Sequence, residues 1–305
     1  MAGHEKNETV NSALARAAFF TSAIFLIELI GGWLTNSLAL MSDAAHVAMD
    51  LFALSLSLFA HRIAQRPATD TRTYGLHRLE IFASLINGLT LLLVAVFIFY
   101  KAYARFMAPP EVKLMGMLVF ALAGLAVNLI VAFMLKGHAE RDLNLKSAFY
   151  HVLGDAASSV GVVAGAIIIY ATGFKAVDPI VSVLIGIIIM AGASGIIREA
   201  SHILLEGVPK ELDLNEVISD MKAIEGVVGV HSLHLWSICH NIHALSAHVD
   251  IAPERSNSQS CLINSINETL AHRHRIFYTT IQAECTTCDT GSVLRNIEHN
   301  YNHTH

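Results

Sequence analysis

Six long apolar stretches constrain this chain more than any other feature of its sequence. They cover about residues 14–34, 38–60, 81–100, 114–135, 147–171 and 177–197. Each is long enough to cross ~30 Å of hydrocarbon as an α-helix that rises 1.5 Å per residue. The composition agrees, because 54% of the residues are hydrophobic, only 15% are charged, and the mean hydropathy is +0.52. We therefore expect an α-helical integral membrane protein with six transmembrane helices.

The Lys and Arg residues near the span ends predict the orientation. They are more numerous on the side that holds both chain ends and the loops after spans two and four. Because positive charge accumulates in cytoplasmic loops, we expect both termini in the cytosol. The first span is longer than the core of a signal peptide and is followed at once by another, so we expect it to remain as an anchor.

The composition changes near residue 208 to that of a soluble domain. Helical and alternating apolar patterns predict a small α-β-β-α-β domain, with Asp213 capping its first helix. The predicted organisation is a disordered cytosolic tail at 1–12, a six-helix transmembrane domain at 13–207, a cytosolic α/β domain at 208–285 and a flexible tail with His and Cys at 286–305. The net charge of -5 and the lack of a long basic cluster argue against a nucleic-acid partner.

Two of the apolar stretches carry the same spacing of histidine and aspartate, His46-x-x-x-Asp50 and His151-x-x-x-Asp155. Residues four apart lie on one face of a helix. Spans two and five run in opposite directions, so the two faces can meet and offer two nitrogens and two oxygens. That is the number and type of donors in a tetrahedral zinc site. Because ionisable residues are costly in a bilayer and usually mark an ion path, the pairs predict a path for a metal ion.

The depth of the two pairs tests this interpretation. A single polar residue in an apolar helix is equally well explained by a hydrogen bond to a neighbouring helix, but two matching pairs argue against that explanation. His46 lies roughly 12 Å from the outer end of span two, and His151 roughly 8 Å from the inner edge if span five begins near Lys146. The depths of His46 and His151 agree better if helix five begins earlier, near Leu143, or if the cytosolic end of helix five is accessible to water.

Two further aspartates lie in or next to the spans. Asp43 shares the face of His46 and Asp50. Asp43 is a further carboxylate along the metal path, a partner that fixes the tautomer of His46, or a residue near the outer opening of the path. We prefer the tautomer-fixing role or the position near the outer opening to the role of a ligand. Asp178-Pro179 has a simpler interpretation, in which Asp caps helix six and Pro occupies its first position.

Four motifs follow one another along the chain, namely Ser37-Leu-Ala-Leu-Met-Ser-Asp-Ala-Ala-His46-x-x-x-Asp50, Tyr74-Gly75-x-His77-Arg78-x-Glu80-Ile81, His151-x-x-x-Asp155 and Leu233-His-Leu-Trp236. Over roughly residues 12 to 285 the chain resembles the cation diffusion facilitators, most closely their zinc-transporting Czc-type branch. The resemblance implies a homodimeric antiporter that exchanges zinc for protons, with His46, Asp50, His151 and Asp155 as its transport site. It also implies that residues 13–207 are the transport domain and that the cytosolic α/β domain is metallochaperone-like. Members with Asp in place of the first His tend to accept cadmium more readily, so His46 implies a preference for zinc.

Ligand chemistry links the metal to the counter-ion. Zinc needs neutral imidazole and ionised carboxylate, so protons and metal compete for the same groups. Histidine has an ordinary pKa near 6.5, so its side chain can exchange a proton for a metal ion near physiological pH. We therefore expect zinc to leave the cytosol as protons enter, through helices that rock to open the site to one side at a time.

The resemblance also implies metal sites outside the membrane. Some members hold one in the loop between helices two and three, but here Arg72 stands where a ligand histidine would be, and Asp70 with His77 are the remaining candidates. Relatives also bind regulatory zinc in the cytosolic domain, where the corresponding positions and their neighbours are His231, His234, His248, Cys261 and Glu284. The alternative is that strand histidines face solvent, which we prefer for His240 and His243.

The pair Cys285-Thr-Thr-Cys288 has the spacing of a zinc knuckle. It closes a site with His4 or a histidine of the tail, or it is an inert pair. Because we expect a cytosolic location, we predict thiols or metal ligands here rather than disulfides.

These features predict a metal transporter rather than an enzyme. Its expected partners are divalent metal ions, membrane lipid and a second copy of the chain, with zinc as substrate and candidate regulatory ligand. Alternatives are a broader zinc, cadmium and cobalt efflux pump, a proton-coupled carrier of an organic cation, and a membrane-anchored zinc sensor, which leaves the intramembrane pairs unexplained. A membrane protease is disfavoured because four protein ligands leave no open position for water and no His-Glu-x-x-His motif occurs.

Overall fold

The computed structural model describes residues 2–139, 143–240, 242–254, 259–284 and 293. It divides into two compact units. The first is the helical membrane unit, residues 1–59 and 83–197, and the second joins residues 60–82 to the C-terminal part of the chain from 198.

Six membrane helices are present in these described ranges: α1 (Ala2–Thr35), α2 (Leu38–Ala64), α3 (Arg78–Met107), α4 (Leu114–Ala139), α5 (Leu143–Thr172) and α6 (Val177–Leu204). Five are long and apolar enough to cross a membrane, and α1 contributes a shorter apolar segment, Phe19–Thr35. The prediction of six transmembrane helices is confirmed. Large apolar side chains on their outer surfaces, such as Phe133, Trp33 and Tyr170, are exposed because this surface faces lipid.

Helix α1 begins at Ala2 and so includes residues 2–12, where the sequence predicts a disordered tail. The helix therefore extends beyond the apolar span, which begins near residue 14.

Close packing in the membrane unit depends on glycine. Gly31 lies against Phe120, where an added Cβ would be 2.5 Å from the ring, and Gly124 lies against Glu28, whose Oε1 would be 2.6 Å from such a Cβ. These contacts bring α1 close to α4, and α4 packs more extensively still along α5. Small residues allow this approach, as is usual for helices packed in membranes.

The start of α6 differs from the prediction. Asp178 lies inside the first turn of α6, which begins at Val177, so its predicted role as the cap of helix six is wrong. Its side chain is buried and contacts the first residues of α2 instead, where its Oδ1 accepts a hydrogen bond of 2.6 Å from the Ser37 hydroxyl.

The C-terminal domain has the predicted α-β-β-α-β order, with α7 (Leu214–Lys222), β1 (Val227–Cys239), β2 (Ile242–Ile251), α8 (Gln259–His274) and β3 (Ile276–Glu284). Its described strands form one sheet in the order β1-β2-β3, antiparallel between β1 and β2 and parallel between β2 and β3. Asp213 caps α7 as predicted, because its carboxylate accepts from the Asn215 N–H at 2.8 Å.

The two helices cover one face of this sheet. Met221 of α7 and Ile266 and Leu270 of α8 are fully buried against Leu245 and Ile276 of the strands. Asp220 joins the helices, since its carboxylate bonds Nε2 of the buried His274 at 2.8 Å and contacts Arg273. The domain thus has a core of its own that fixes the strands on which the candidate cytosolic ligands lie.

Candidate functional site

The two His-x-x-x-Asp pairs meet inside the membrane unit. Nε2 of His46 lies 3.8 Å from Oδ2 of Asp50 on its own helix and 3.8 Å from Oδ1 of Asp155 on α5. Nε2 of His151 lies 3.4 Å from Oδ2 of Asp50 and 3.8 Å from Oδ2 of Asp155. Each aspartate therefore lies between the two histidines, and the four side chains form a closed ring that joins α2 to α5.

The four His to Asp distances of this ring, here named the intramembrane cluster, are close to the spacing of neighbouring donors in a zinc site. A tetrahedron of donors at 2.0–2.1 Å from zinc has edges of about 3.3 Å. The four His to Asp distances exceed that edge by at most about half an ångström. With one donor atom from each residue, His46, Asp50 and Asp155 all lie within 4.8 Å of one another, whereas His151 approaches the two carboxylates pairwise.

The four side chains of the cluster differ in exposure. The Asp155 side chain is only 8% exposed, whereas that of His151 is 49% exposed. Helix α5 begins at Leu143, one of the two possibilities that the depth comparison gave, so His151 lies roughly 12 Å from the start of its helix, as His46 does from the start of α2. His151 is thus the most exposed of the four side chains.

Asp43 extends the polar interior from α2 towards α5. Its Oδ1 accepts from Ser158 at 2.5 Å and its Oδ2 from Ser159 at 3.3 Å. Both hydroxyls also lie within hydrogen-bond distance of the Asp155 carbonyl oxygen. The described bonds of Asp43 therefore connect it to the turn after Asp155 rather than to His46.

Ser158 and Ser159 were missed by the sequence analysis, although a signal for them exists. They follow Asp155 by three and four residues and so lie on the face of α5 that carries His151 and Asp155. Asn128 of α4 donates to Ser159 at 3.3 Å, as expected for a helix-to-helix hydrogen bond. This network gives the buried carboxylate of Asp43 the donors that a polar group in a membrane interior requires.

A second group of metal-ligand types lies on the cytosolic sheet and is named the sheet cluster. Nδ1 of His248 is 2.7 Å from Oε1 of Glu284, and Nε2 of His231 is 3.4 Å from Oε2 of the same carboxylate. The sheet register explains the group, because His231 pairs with His248 across β1 and β2, and Asp250 pairs with Glu284 across β2 and β3. Asp250, which the sequence analysis did not select, has its Oδ1 3.5 Å from the same nitrogen of His231.

Other predicted cytosolic residues lie apart from this cluster. His234 is exposed and pairs with Ser246, because the register of β1 against β2 shifts between His231 and His234. Cys261 is exposed on the first turn of α8. In the described part of the chain, neither His234 nor Cys261 lies in the sheet cluster. Asp70 and His77 do not belong to a group of metal-ligand types there either. Cys285 and Cys288 lie outside the described residues, as do the side chain of His4 and the tail from 286 apart from Val293.

The sequence of the whole chain matches proteins of known family. Residues 14–205 match the cation efflux transmembrane domain, and residues 209–285 match the cytoplasmic domain of cation efflux proteins. The chain is thus an integral membrane protein whose C-terminal domain is cytoplasmic.

Several relatives align over almost the full chain. A protein of Bacillus subtilis, named a cadmium, cobalt and zinc/H(+)-K(+) antiporter, is 37% identical over 92% of this chain and 92% of its own length. The metal cation efflux system protein CzcD of Cupriavidus metallidurans is 39% identical over 97% of this chain and 94% of its own. The zinc transporter ZitB of Pectobacterium atrosepticum is 39% identical over 94% and 89%, respectively.

These relatives are named as transporters and antiporters, which agrees with the prediction of a transporter rather than an enzyme. The transmembrane domain and the C-terminal domain of the chain both match domains of cation efflux proteins. The chain therefore belongs to the cation efflux family, the cation diffusion facilitators that its motifs resemble.

Proposed function

We propose that this protein exports zinc from the cytosol in exchange for protons, and that His46, Asp50, His151 and Asp155 form its transport site. The observation that carries the proposal is the closed ring of four His to Asp contacts between α2 and α5. Names of relatives support the substrate class, since they include zinc transporters and an antiporter of cadmium, cobalt and zinc.

Charge balance favours a divalent ion at this position. Two carboxylates and two neutral imidazoles around Zn²⁺ form a complex with no net charge, which is the least costly state for ions in a low-dielectric membrane interior. When the metal leaves, the two carboxylates again need positive charge nearby. Protons taken up by the same residues supply it, so metal and protons occupy the site in turn.

Access to the site alternates between the two sides of the membrane in this proposal. The exposed side chain of His151 marks one route in this proposal, and rocking of α2 and α5 closes it and opens the other.

Because six spans lead to a cytoplasmic domain, we propose that the N terminus is cytosolic as well. We further propose that the chain works as a homodimer. The change in composition near residue 208 separates the transport domain from a regulatory domain in this proposal.

The sheet cluster is the proposed regulatory zinc site. His231, His248 and Glu284 offer two nitrogens and a carboxylate within 4.8 Å of one another, and Asp250 offers a fourth donor beside His231. That donor set suits zinc. Gln282 lies next to it, but its amide donates to Glu284 at 2.9 Å and so acts on the carboxylate rather than as a ligand.

The alternative with most support is a broader zinc, cadmium and cobalt pump, because the Bacillus subtilis relative is named for all three metals. A zinc sensor with a membrane anchor has less support, since it gives no reason for paired ligands inside the bilayer.

Replacing Asp155 with Asn tests the transport site. Asp155→Asn removes a buried ligand charge from the ring, so we expect zinc-driven proton flux in proteoliposomes to fall by roughly 100-fold or more, to the level of empty vesicles. Asp70→Asn, an exposed position with the same change, is the control and is expected to transport normally. Flux at the normal rate in Asp155→Asn contradicts the assignment.

Replacing His46 with Asp tests metal selection. A third carboxylate in place of an imidazole suits a larger ion with more oxygen ligands, so the ratio of cadmium to zinc transport rises in vesicles loaded with one metal at a time. The control is His77→Asp in the loop between α2 and α3. An unchanged ratio in His46→Asp would mean that selection resides elsewhere.

Replacing Glu284 with Gln tests the sheet cluster. The carboxylate contacts both histidines, so we expect Glu284→Gln to lose cytosolic zinc with an affinity decrease of roughly 10-fold or more. Binding is measured by equilibrium dialysis in an Asp155→Asn background, so that only cytosolic sites contribute. His234→Ala is the matched control, and equal zinc binding by both variants argues against the cluster as a site.

A further inference from the structure

The side chain of Asp178 connects the first turn of α6 to the first turn of α2. Its Oδ2 accepts from the Leu38 N–H at 2.9 Å, and its Oδ1 accepts from the Ala39 N–H at 3.2 Å. The Ser37 hydroxyl donates to Oδ1 at 2.6 Å. Only 1% of Asp178 is exposed, so these bonds are formed away from solvent.

The first turn of α2 needs these bonds. The first N–H groups of a helix have no partner within the helix, and inside a protein each must find one. Ser37 serves the Leu40 N–H through its hydroxyl at 3.3 Å, which leaves Leu38 and Ala39 to Asp178. A carboxylate beside the positive end of a helix is also electrostatically favourable. Part of the cap of α2 is thus supplied from about 140 residues away along the chain, and Ser37 supplies the rest locally.

Arg105 at the end of α3 holds this carboxylate in place. Its Nη1 lies 3.4 Å from Oδ2 of Asp178 and donates to the Asn36 carbonyl at 2.6 Å, and its Nη2 donates to the Asn36 side-chain oxygen at 2.9 Å. Asn36 has a positive φ of 56° in the short turn between α1 and α2. We name this group of Asn36, Ser37, Arg105 and Asp178 the outer clamp, because α6 leads from here to the cytoplasmic domain and its start lies on the opposite side of the membrane.

The clamp is one of the contacts that hold helix α2 in the membrane unit. Among the described helices, the closest backbone packing in the membrane unit joins α1 to α4 and α4 to α5. Helix α2 contacts the core through side chains such as Ala39, Leu40 and Met49. The clamp fixes its start, and His46 follows roughly 12 Å along the helix.

From this geometry we infer that Asp178 is a positioning residue for the transport site. By holding the start of α2, it sets the height and rotation at which His46 and Asp50 meet His151 and Asp155. Metal donors must lie within about 0.5 Å of their productive positions, so a small shift of α2 weakens the site. The inference rests on the proposed function, because it requires the intramembrane cluster to bind metal.

Asp178→Asn tests the inference with little change of shape. Asn offers one acceptor oxygen instead of two and carries no charge for Arg105, so part of the clamp is lost. We expect the zinc KM for transport by the full-length protein in proteoliposomes to rise roughly 10-fold, because the ring of donors no longer fits the metal. The maximal rate is expected to fall much less than the affinity.

A spectrum of bound cobalt separates positioning from general stability. Tetrahedral Co²⁺ absorbs strongly in the visible range, and the band reports ligand geometry. In a His248→Ala, Glu284→Gln background, which removes the sheet cluster, we expect Asp178→Asn to weaken and shift this band. Asp213→Asn makes the same substitution at the cap of α7, which lies in the cytoplasmic domain, and is expected to leave the band and the zinc KM unchanged.

The outcomes are distinct. A zinc KM within twofold of wild type and an unchanged cobalt band in Asp178→Asn overturn the inference. If this variant fails to fold, Ser37→Ala decides instead: a KM increase of roughly threefold supports the clamp, and no increase overturns it. If the protein with native Asp178 and Ser37 shows neither saturable zinc transport nor a tetrahedral cobalt band, the result contradicts the proposed function rather than the role of Asp178.

Discussion

The cost of holding ionisable side chains in a membrane interior is the constraint on which the rest of this structure depends. The two histidines and two aspartates of the intramembrane cluster must have partners there. Their four His to Asp contacts join neighbouring turns of α2 and α5 or link the two helices. The same cost explains why Asp43 receives two serine hydroxyls. In the proposed function, a divalent cation supplies the positive charge that the two carboxylates require.

Much of the polar structure of α2 serves to place its ligands. At one end Asp178 and Ser37 satisfy the N–H groups of the first turn, and farther along Asp43 bonds α5. Both contacts reach helices that are distant in sequence. An antiporter needs such helices to adopt two arrangements, and a few discrete polar contacts change partners more readily than a continuous apolar seam. In the proposed transport cycle, metal and protons act on these helices through His46, Asp50, His151 and Asp155.

Local patterns predicted what depends on local spacing. The six spans, the α-β-β-α-β order and the Asp213 cap follow from periodicity, and the meeting of His46 with Asp155 follows from equal spacing on antiparallel helices. The role of Asp178 could not be predicted in this way, because its partners lie about 140 residues away and a cap of its own helix explains the sequence equally well. The separation of His234 from His231 depends on a strand irregularity at Ser232, where φ is 48°.

We propose that one metal ion binds between α2 and α5 through two imidazole nitrogens and two carboxylate oxygens. Zinc X-ray absorption of the full-length protein tests this directly, in a His248→Ala, Glu284→Gln, Cys285→Ser, Cys288→Ser background that removes candidate cytosolic ligands. We expect four nitrogen and oxygen donors at about 2.0 Å, with the scattering signature of two imidazoles. Six oxygen donors, a sulfur donor, or no bound zinc would contradict it.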